Sequence, residues 1–109
     1  MTATLLPSAS FFLVVSAMRE CRQLHFVYDG FLRCVCPHSV GWSKGLERVI
    51  GFQFAGFSPG GLALGGDWRC FDIQDMRKVS VRDGDWHTGL KHFQPRGFIE
   101  RVHVDVDDI

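Results

Sequence analysis

Apolar and polar residues alternate in short runs along much of this chain, and the runs end at glycine, proline or aspartate. Alternation is typical of β-strands, which present successive side chains to opposite faces of a sheet. The clearest case spans residues 24–37, where two alternating runs flank Asp29 and Gly30. Asp-Gly readily adopts the positive φ that a two-residue turn requires. The pattern therefore predicts a β-hairpin whose second strand ends its pairing at Pro37.

An amphipathic helix is predicted before the hairpin, over about residues 10–23. Its apolar positions follow i, i+3, i+4, i+7 spacing, at Phe11, Val14, Val15 and Met18. Ser8 or Ser10 can cap its start. The apolar run here has no preceding Lys or Arg and is shorter than the ~18–20 residues that cross a bilayer, so we predict neither a secretion signal nor a membrane anchor.

Three more strands are predicted after the hairpin, over residues 48–55, 68–73 and 78–82. A loop is predicted at residues 41–45, and the glycine-rich run 56–66 is expected to be a mobile connection that folds over a site. Residues 101–106 alternate again and would add a strand or contact a partner. One helix followed by five short strands predicts a mainly β fold, a small strongly bent five-stranded sheet of the SH3/Sm-like barrel kind.

The length and composition indicate one folded domain. The 109 residues include ten Phe and three Trp, which favours an aromatic-rich core. We expect a single domain over 1–109, with its β core at 24–82 and a C-terminal extension at 83–109. Residues 1–82 carry nine basic against six acidic side chains, and residues 83–109 carry three against six. This distribution excludes a broad polybasic surface but leaves room for a small basic pocket.

The cysteines and histidines leave two alternatives open. Cys34, Cys36 and His38 share a strand parity, so a zinc site is possible if the strand that carries Cys70 lies alongside. The alternative is that the thiols are small buried side chains in a reducing, cytoplasmic compartment. The five histidines show no nucleophile–base or metal spacing, so we predict no enzyme activity, no catalytic residue and no cofactor.

Polar side chains in apolar strands are the candidate binding residues. Arg33 shares a pleat face with Val35, and His38 lies just beyond Pro37 at the sheet rim. Gln53 falls on the inward face of its predicted strand, where its amide requires partners.

Several short motifs occur in order after the helix: Tyr28-x-Gly30, Arg33-x-Val35-x-Pro37-His38, Val49-Ile50 with Phe52-Gln53, and Arg69-x-Phe71-x-Ile73. Together they resemble the WYL domain over about residues 11–86. The chain departs from that family where Glu47-Arg48-Val49 stands in place of Trp-Tyr-Leu, and at Asp75, where the family has an arginine.

The resemblance implies an SH3/Sm-like ligand-sensing domain of bacterial or phage-related transcription regulators, including phage-defence systems. It implies a nucleotide or a single-stranded nucleic acid as ligand, with Arg33, His38 and Arg69 as basic contacts and Tyr28 as the stacking aromatic. Gln53 is a further candidate site residue, which the resemblance does not imply; it is included because strand parity places its amide on the inward face. We expect a stand-alone sensor, with a homodimer or a separate DNA-binding subunit as partner, or else a fragment of a longer regulator, and no membrane partner.

Two competing interpretations accompany this expectation. Each arginine can instead pair with an acid such as Asp72 or Asp67 at the rim of the sheet. The whole chain can instead be a protein-interaction or dimerisation module, in which residues 98–106 add a strand to a partner's sheet and the apolar loop 57–64 packs across the interface.

Overall fold

The computed structural model describes residues 6–89 and 98–108. It contains one helix, α1 (Ala9–Glu20), and six strands: β1 (Gln23–Tyr28), β2 (Phe31–Ser43), β3 (Leu46–Gly56), β4 (Asp67–Asp72), β5 (Arg77–Arg82) and β6 (Arg101–Asp105). Short 3₁₀ turns occupy Ile73–Asp75 and Val106–Asp108. The prediction of a mainly β fold with one N-terminal helix is confirmed.

The helix begins and ends at identifiable caps. The Ser8 hydroxyl accepts a hydrogen bond from the Phe11 N–H, which satisfies one of the free donors of the first turn. Cys21 adopts a left-handed conformation with φ of 52°, and its N–H donates to the last carbonyls of the helix. The helix therefore ends before the predicted boundary at residue 23, because Gln23 already pairs in β1.

The hairpin is confirmed, with Asp29 and Gly30 at positive φ between β1 and β2. The prediction that Pro37 ends the second strand is wrong, since β2 continues to Ser43. Along one side of β2, strand β1 pairs only as far as Val35 and strand β6 pairs from Ser39 onward. Pro37 lies in the gap between these two partners, where its missing N–H costs no pairing on that side.

All strands join one antiparallel sheet in the order β4-β3-β2-β1-β5, with β6 paired to β2. The sheet has six strands rather than five, because residues 101–105 pair within the chain, and the loop predicted at 41–45 shortens to a turn at Lys44 and Gly45. No pairing joins β4 to β5 in the described residues, so the barrel closure is not confirmed.

The two faces of the sheet differ in what covers them. Helix α1 packs on one face and builds the main hydrophobic cluster with side chains such as Leu24, Phe26, Val35 and Phe71. The segment after β5 lies against the other face, where His87 stacks on Phe54 with ring centroids 4.1 Å apart. Within the described ranges, no helix is long and apolar enough to span a bilayer.

Candidate ligand-binding site

Arg33 lies buried in the sheet on the helix-covered face. The hairpin register places it opposite Phe26, and only 3% of its surface is exposed. Its Nη1 donates to Gln53 Oε1 and its Nη2 to the Tyr28 carbonyl, both at 3.3 Å. The pairing of Arg33 with Asp72, which the sequence left open, does not occur, because Asp72 binds Arg48 at 2.7 Å.

The charge of Arg33 is surrounded by aromatic rings rather than by acids. Its Cζ lies 5.6 Å from the ring centroids of Tyr28 and Phe71, and 5.9 Å from that of Phe31. In the part of the chain that the structure describes, it forms no ion pair, and its Nε is buried without a hydrogen-bond partner. Burial lowers the pKa of this guanidinium; the charge of Asp29 partly offsets this effect, whereas that of Arg69 adds to it.

Gln53 connects Arg33 to the glycine-rich loop. It is fully buried in β3, and its Nε2 donates to the Ala55 carbonyl at 3.1 Å and to the Phe57 carbonyl at 2.9 Å. With Oε1 accepting from Arg33, the amide has the partners that its burial requires. The structure thus places this predicted site residue directly beside Arg33.

Arg69 stands on β4, opposite Gly51 of β3. Its Nη1 lies 3.3 Å from Asp67 Oδ2, so the acid pairing that the sequence left open for this arginine does occur. Its Nη2 donates to the Gly61 carbonyl at 3.2 Å, and its Nε is a second buried guanidinium nitrogen without a partner among the described residues. Arg69 is also among the residues that line a small pocket, with Ile50, Trp68, Cys70 and Phe98.

The loop 57–66 is attached to the site by its backbone. The Phe57 N–H donates to the Leu32 carbonyl at 2.8 Å, while Gln53 and Arg69 bind the carbonyls of Phe57 and Gly61. Glycines at both ends, Gly56 and Gly66, have positive φ and approach backbone so closely that a Cβ would clash. Loop carbonyls therefore occupy donors that could otherwise bind a ligand.

Tyr28 belongs to the same cluster but is held in place on several sides. Its hydroxyl accepts a hydrogen bond from the Asp72 N–H at 3.1 Å, and its ring meets Phe26 and Phe71 edge-on. Burial is the main cause that raises its pKa. Arg33 lies over the ring, so the tyrosine positions the guanidinium rather than offering a free surface.

His38 lies on the opposite face of the sheet, away from the arginines. It is the extra residue of a bulge in β2, and its ring packs between Trp68 and Trp86 at 4.7 and 4.9 Å between centroids. Its Nδ1 is 2.7 Å from the Cys36 carbonyl and its Nε2 is 3.0 Å from Thr88 Oγ1. The structure thus brings together Tyr28, Arg33 and Gln53, with Arg69 near enough for its charge to act on Arg33, but it does not bring His38 to them.

The arrangement of the strands does not support the zinc alternative. Strand β3 lies between β2 and β4, so Cys70 does not stand beside the strand of Cys34 and Cys36. No group of three or more His, Cys, Asp or Glu side chains within 6–89 and 98–108 is arranged to hold a metal ion. All four cysteines are free thiols, and burial raises the pKa of Cys36 to about 11.

Sequence reasoning missed two members of the cluster, Phe31 and Phe71. Phe31 is two residues before Arg33 on the same strand, so strand parity was a signal that places both on one face. Phe71 approaches through pairing of β4 with β3, a contact that no local pattern contains.

Comparison of the chain with protein-family models, with curated proteins and with solved structures found no match in any of the three. The resemblance to the WYL domain is therefore carried by the motifs in the sequence alone, and it stays a prediction.

Proposed function

We propose that this chain is a ligand-binding domain that takes an anionic ligand, a nucleotide or single-stranded nucleic acid, at the cluster of Arg33, Arg69 and Gln53. Tyr28 orients Arg33 through its ring, over which the guanidinium lies, and through its backbone carbonyl. Two neighbouring guanidiniums suit phosphate because each can offer planar, paired donors to its oxygens.

The observation that carries the proposal is the buried, unpaired charge of Arg33. Placing a guanidinium among aromatic rings without a carboxylate costs stability, and one of its nitrogens lacks any described partner. Apolar side chains of similar size fill such positions at no comparable cost. A phosphate would supply both the missing countercharge and the missing acceptor.

Access to Arg33 requires movement of loop 57–66. The loop is held to the arginines and Gln53 through carbonyl oxygens. Phosphate oxygens are stronger acceptors for guanidinium than neutral carbonyls are. Exchange of the Gly61 carbonyl for a phosphate oxygen would release the loop from Arg69 and open the path to Arg33.

The wider parts of the expectation belong to the same proposal. They are an SH3/Sm-like barrel, a sensor role in a bacterial or phage-related regulator, action in the cytoplasm, and a homodimer or a DNA-binding subunit as partner. The order of the motifs in the sequence is what supports them.

The test is a fluorescence-polarisation titration of the purified chain with labelled single-stranded oligothymidylate, at low and at physiological salt. Arg33→Met keeps an apolar chain of similar length but removes the charge, so we expect a stably folded variant whose affinity falls at least about tenfold. Arg69→Met should lower the affinity by a similar factor. Each substitution should also make binding depend less steeply on salt concentration.

Arg82→Met is the matched control, because Arg82 is an exposed residue of β5 with Ser80 as its side-chain partner. If Arg82→Met and Arg33→Met lost the same affinity, the loss would come from the lower net charge alone, and the proposed site would be wrong. If the unmodified chain binds no single strand and no nucleotide, the proposal fails and the interaction-module alternative is favoured.

A further inference from the structure

Two exposed aromatic rings flank the arginine cluster. Phe31, the first residue of β2, is 37% exposed, and Phe57, the first residue of the glycine-rich loop, is 65% exposed. The Arg33 guanidinium lies over the Phe31 ring too, with Cζ 5.9 Å from its centroid, so what distinguishes Phe31 from Tyr28 is its greater exposure. The Phe57 backbone hydrogen-bonds to Leu32, the residue between Phe31 and Arg33.

Tyr28 does not fill the role of a stacking surface. Its hydroxyl is bound to the Asp72 N–H, its edges meet Phe26 and Phe71, and Arg33 lies over its ring. A base that enters this site therefore cannot lie on Tyr28 without displacing the guanidinium. Next to Arg33 and at the start of the loop, the rings of Phe31 and Phe57 do keep exposed surface.

We propose that Phe31 and Phe57 are the base-stacking surfaces of this site, so that it selects ligands with unpaired bases over bare phosphate chains and over duplexes. This inference rests on the proposed function. Stacking on aromatic rings is tolerant of base identity, because every base offers a π-face. The arginines then bind the backbone while the two phenylalanines bind the bases on either side.

Phe57 also couples base binding to the loop. Its carbonyl is held by Gln53, and the next attachment of the loop is at Gly61 on Arg69. A base that stacks on Phe57 engages the segment that must move for a phosphate to reach Arg33.

The experiment compares labelled oligothymidylate with an abasic oligonucleotide of the same length and charge. We expect the unmodified chain to bind the base-bearing strand about fivefold or more tighter. Phe57→Leu keeps an apolar side chain of similar size but removes the ring, and it should lower affinity for the base-bearing strand while leaving the abasic strand unaffected. Phe57→Trp should restore the preference, and Phe31→Leu should reduce it.

Phe12→Leu is the matched control, since Phe12 is 59% exposed on α1. Arg33→Met separates the two proposals, because it should weaken binding of both oligonucleotides. If the unmodified chain binds both strands equally and Arg33→Met abolishes binding, the stacking inference is overturned while the anion site stands. If it binds neither strand, both proposals fall.

Discussion

At the scale of single residues, Arg33 and Gln53 show that burial of a polar side chain is settled by distant partners. They lie 20 positions apart, and the Gln53 amide holds both the Arg33 guanidinium and the first residue of the glycine-rich loop in place. Strand parity alone places both on the inward face, as predicted. The partners that make this placement tolerable come from β1, β3 and the loop.

Replacing Gln53 by leucine should lower the free energy of unfolding by about 2 kcal/mol or more. Leucine preserves volume but leaves Arg33 Nη1 without its acceptor and two carbonyls without a donor, and each buried unpaired group costs about 1–3 kcal/mol. Chemical denaturation measures the change. Gln74→Leu, at an exposed position, is the control and should shift stability little; equal shifts would mean that the amide contacts contribute nothing.

At the scale of elements, the Asp-Gly turn formed as predicted, whereas Pro37 did not end β2. Asp29-Gly30 fixes the hairpin because its conformational preference is intrinsic to those two residues. The sequence alone predicts that pairing ends at Pro37, because proline cannot donate a hydrogen bond. It is accommodated because β1 and β6 leave a gap beside it, which depends on a strand more than 60 residues away.

The junction between β2 and β6 depends on Gly41. A Cβ at this position would clash with the Arg101 carbonyl and would lie 2.8 Å from an Ile99 methyl. Gly41→Ala should therefore lower stability by about 1–3 kcal/mol, with increased hydrogen exchange at Val102 and Val104. Hydrogen exchange followed by NMR tests both parts.

Gly60→Ala is the control for this change, because a Cβ there meets nothing within 4 Å. Unchanged protection of β6 in Gly41→Ala would show that the strand does not pack against β2 as described. That result would instead favour the alternative in which residues 98–106 add a strand to a partner's sheet.

At the scale of the whole molecule, burial separates the four free thiols into one reactive group and three protected ones. Cys21 is exposed, whereas burial raises the pKa of Cys34, Cys36 and Cys70. Because the thiolate is the reactive form, native protein should show one fast thiol with iodoacetamide at mildly alkaline pH. Mass spectrometry identifies the modified residue.

Unfolding in guanidinium should expose all four thiols, and Cys21→Ser should abolish the fast reaction. Rapid modification of Cys36 in the native state would contradict the packing of residues 85–87 over it, which the contacts of its Sγ with Asp85 and His87 describe.

The sequence by itself determined the mainly β class, the helix, the hairpin and the faces on which Arg33, His38 and Gln53 lie. These follow from periodicity and turn chemistry, which act between neighbours in the chain. Only the tertiary structure decided the strand order, and with it the separation of Cys70 from Cys36 and the approach of Arg69 to Arg33. The physical reason is that strand pairing joins residues far apart in sequence, and hydrophobic periodicity carries no information about which strands become neighbours.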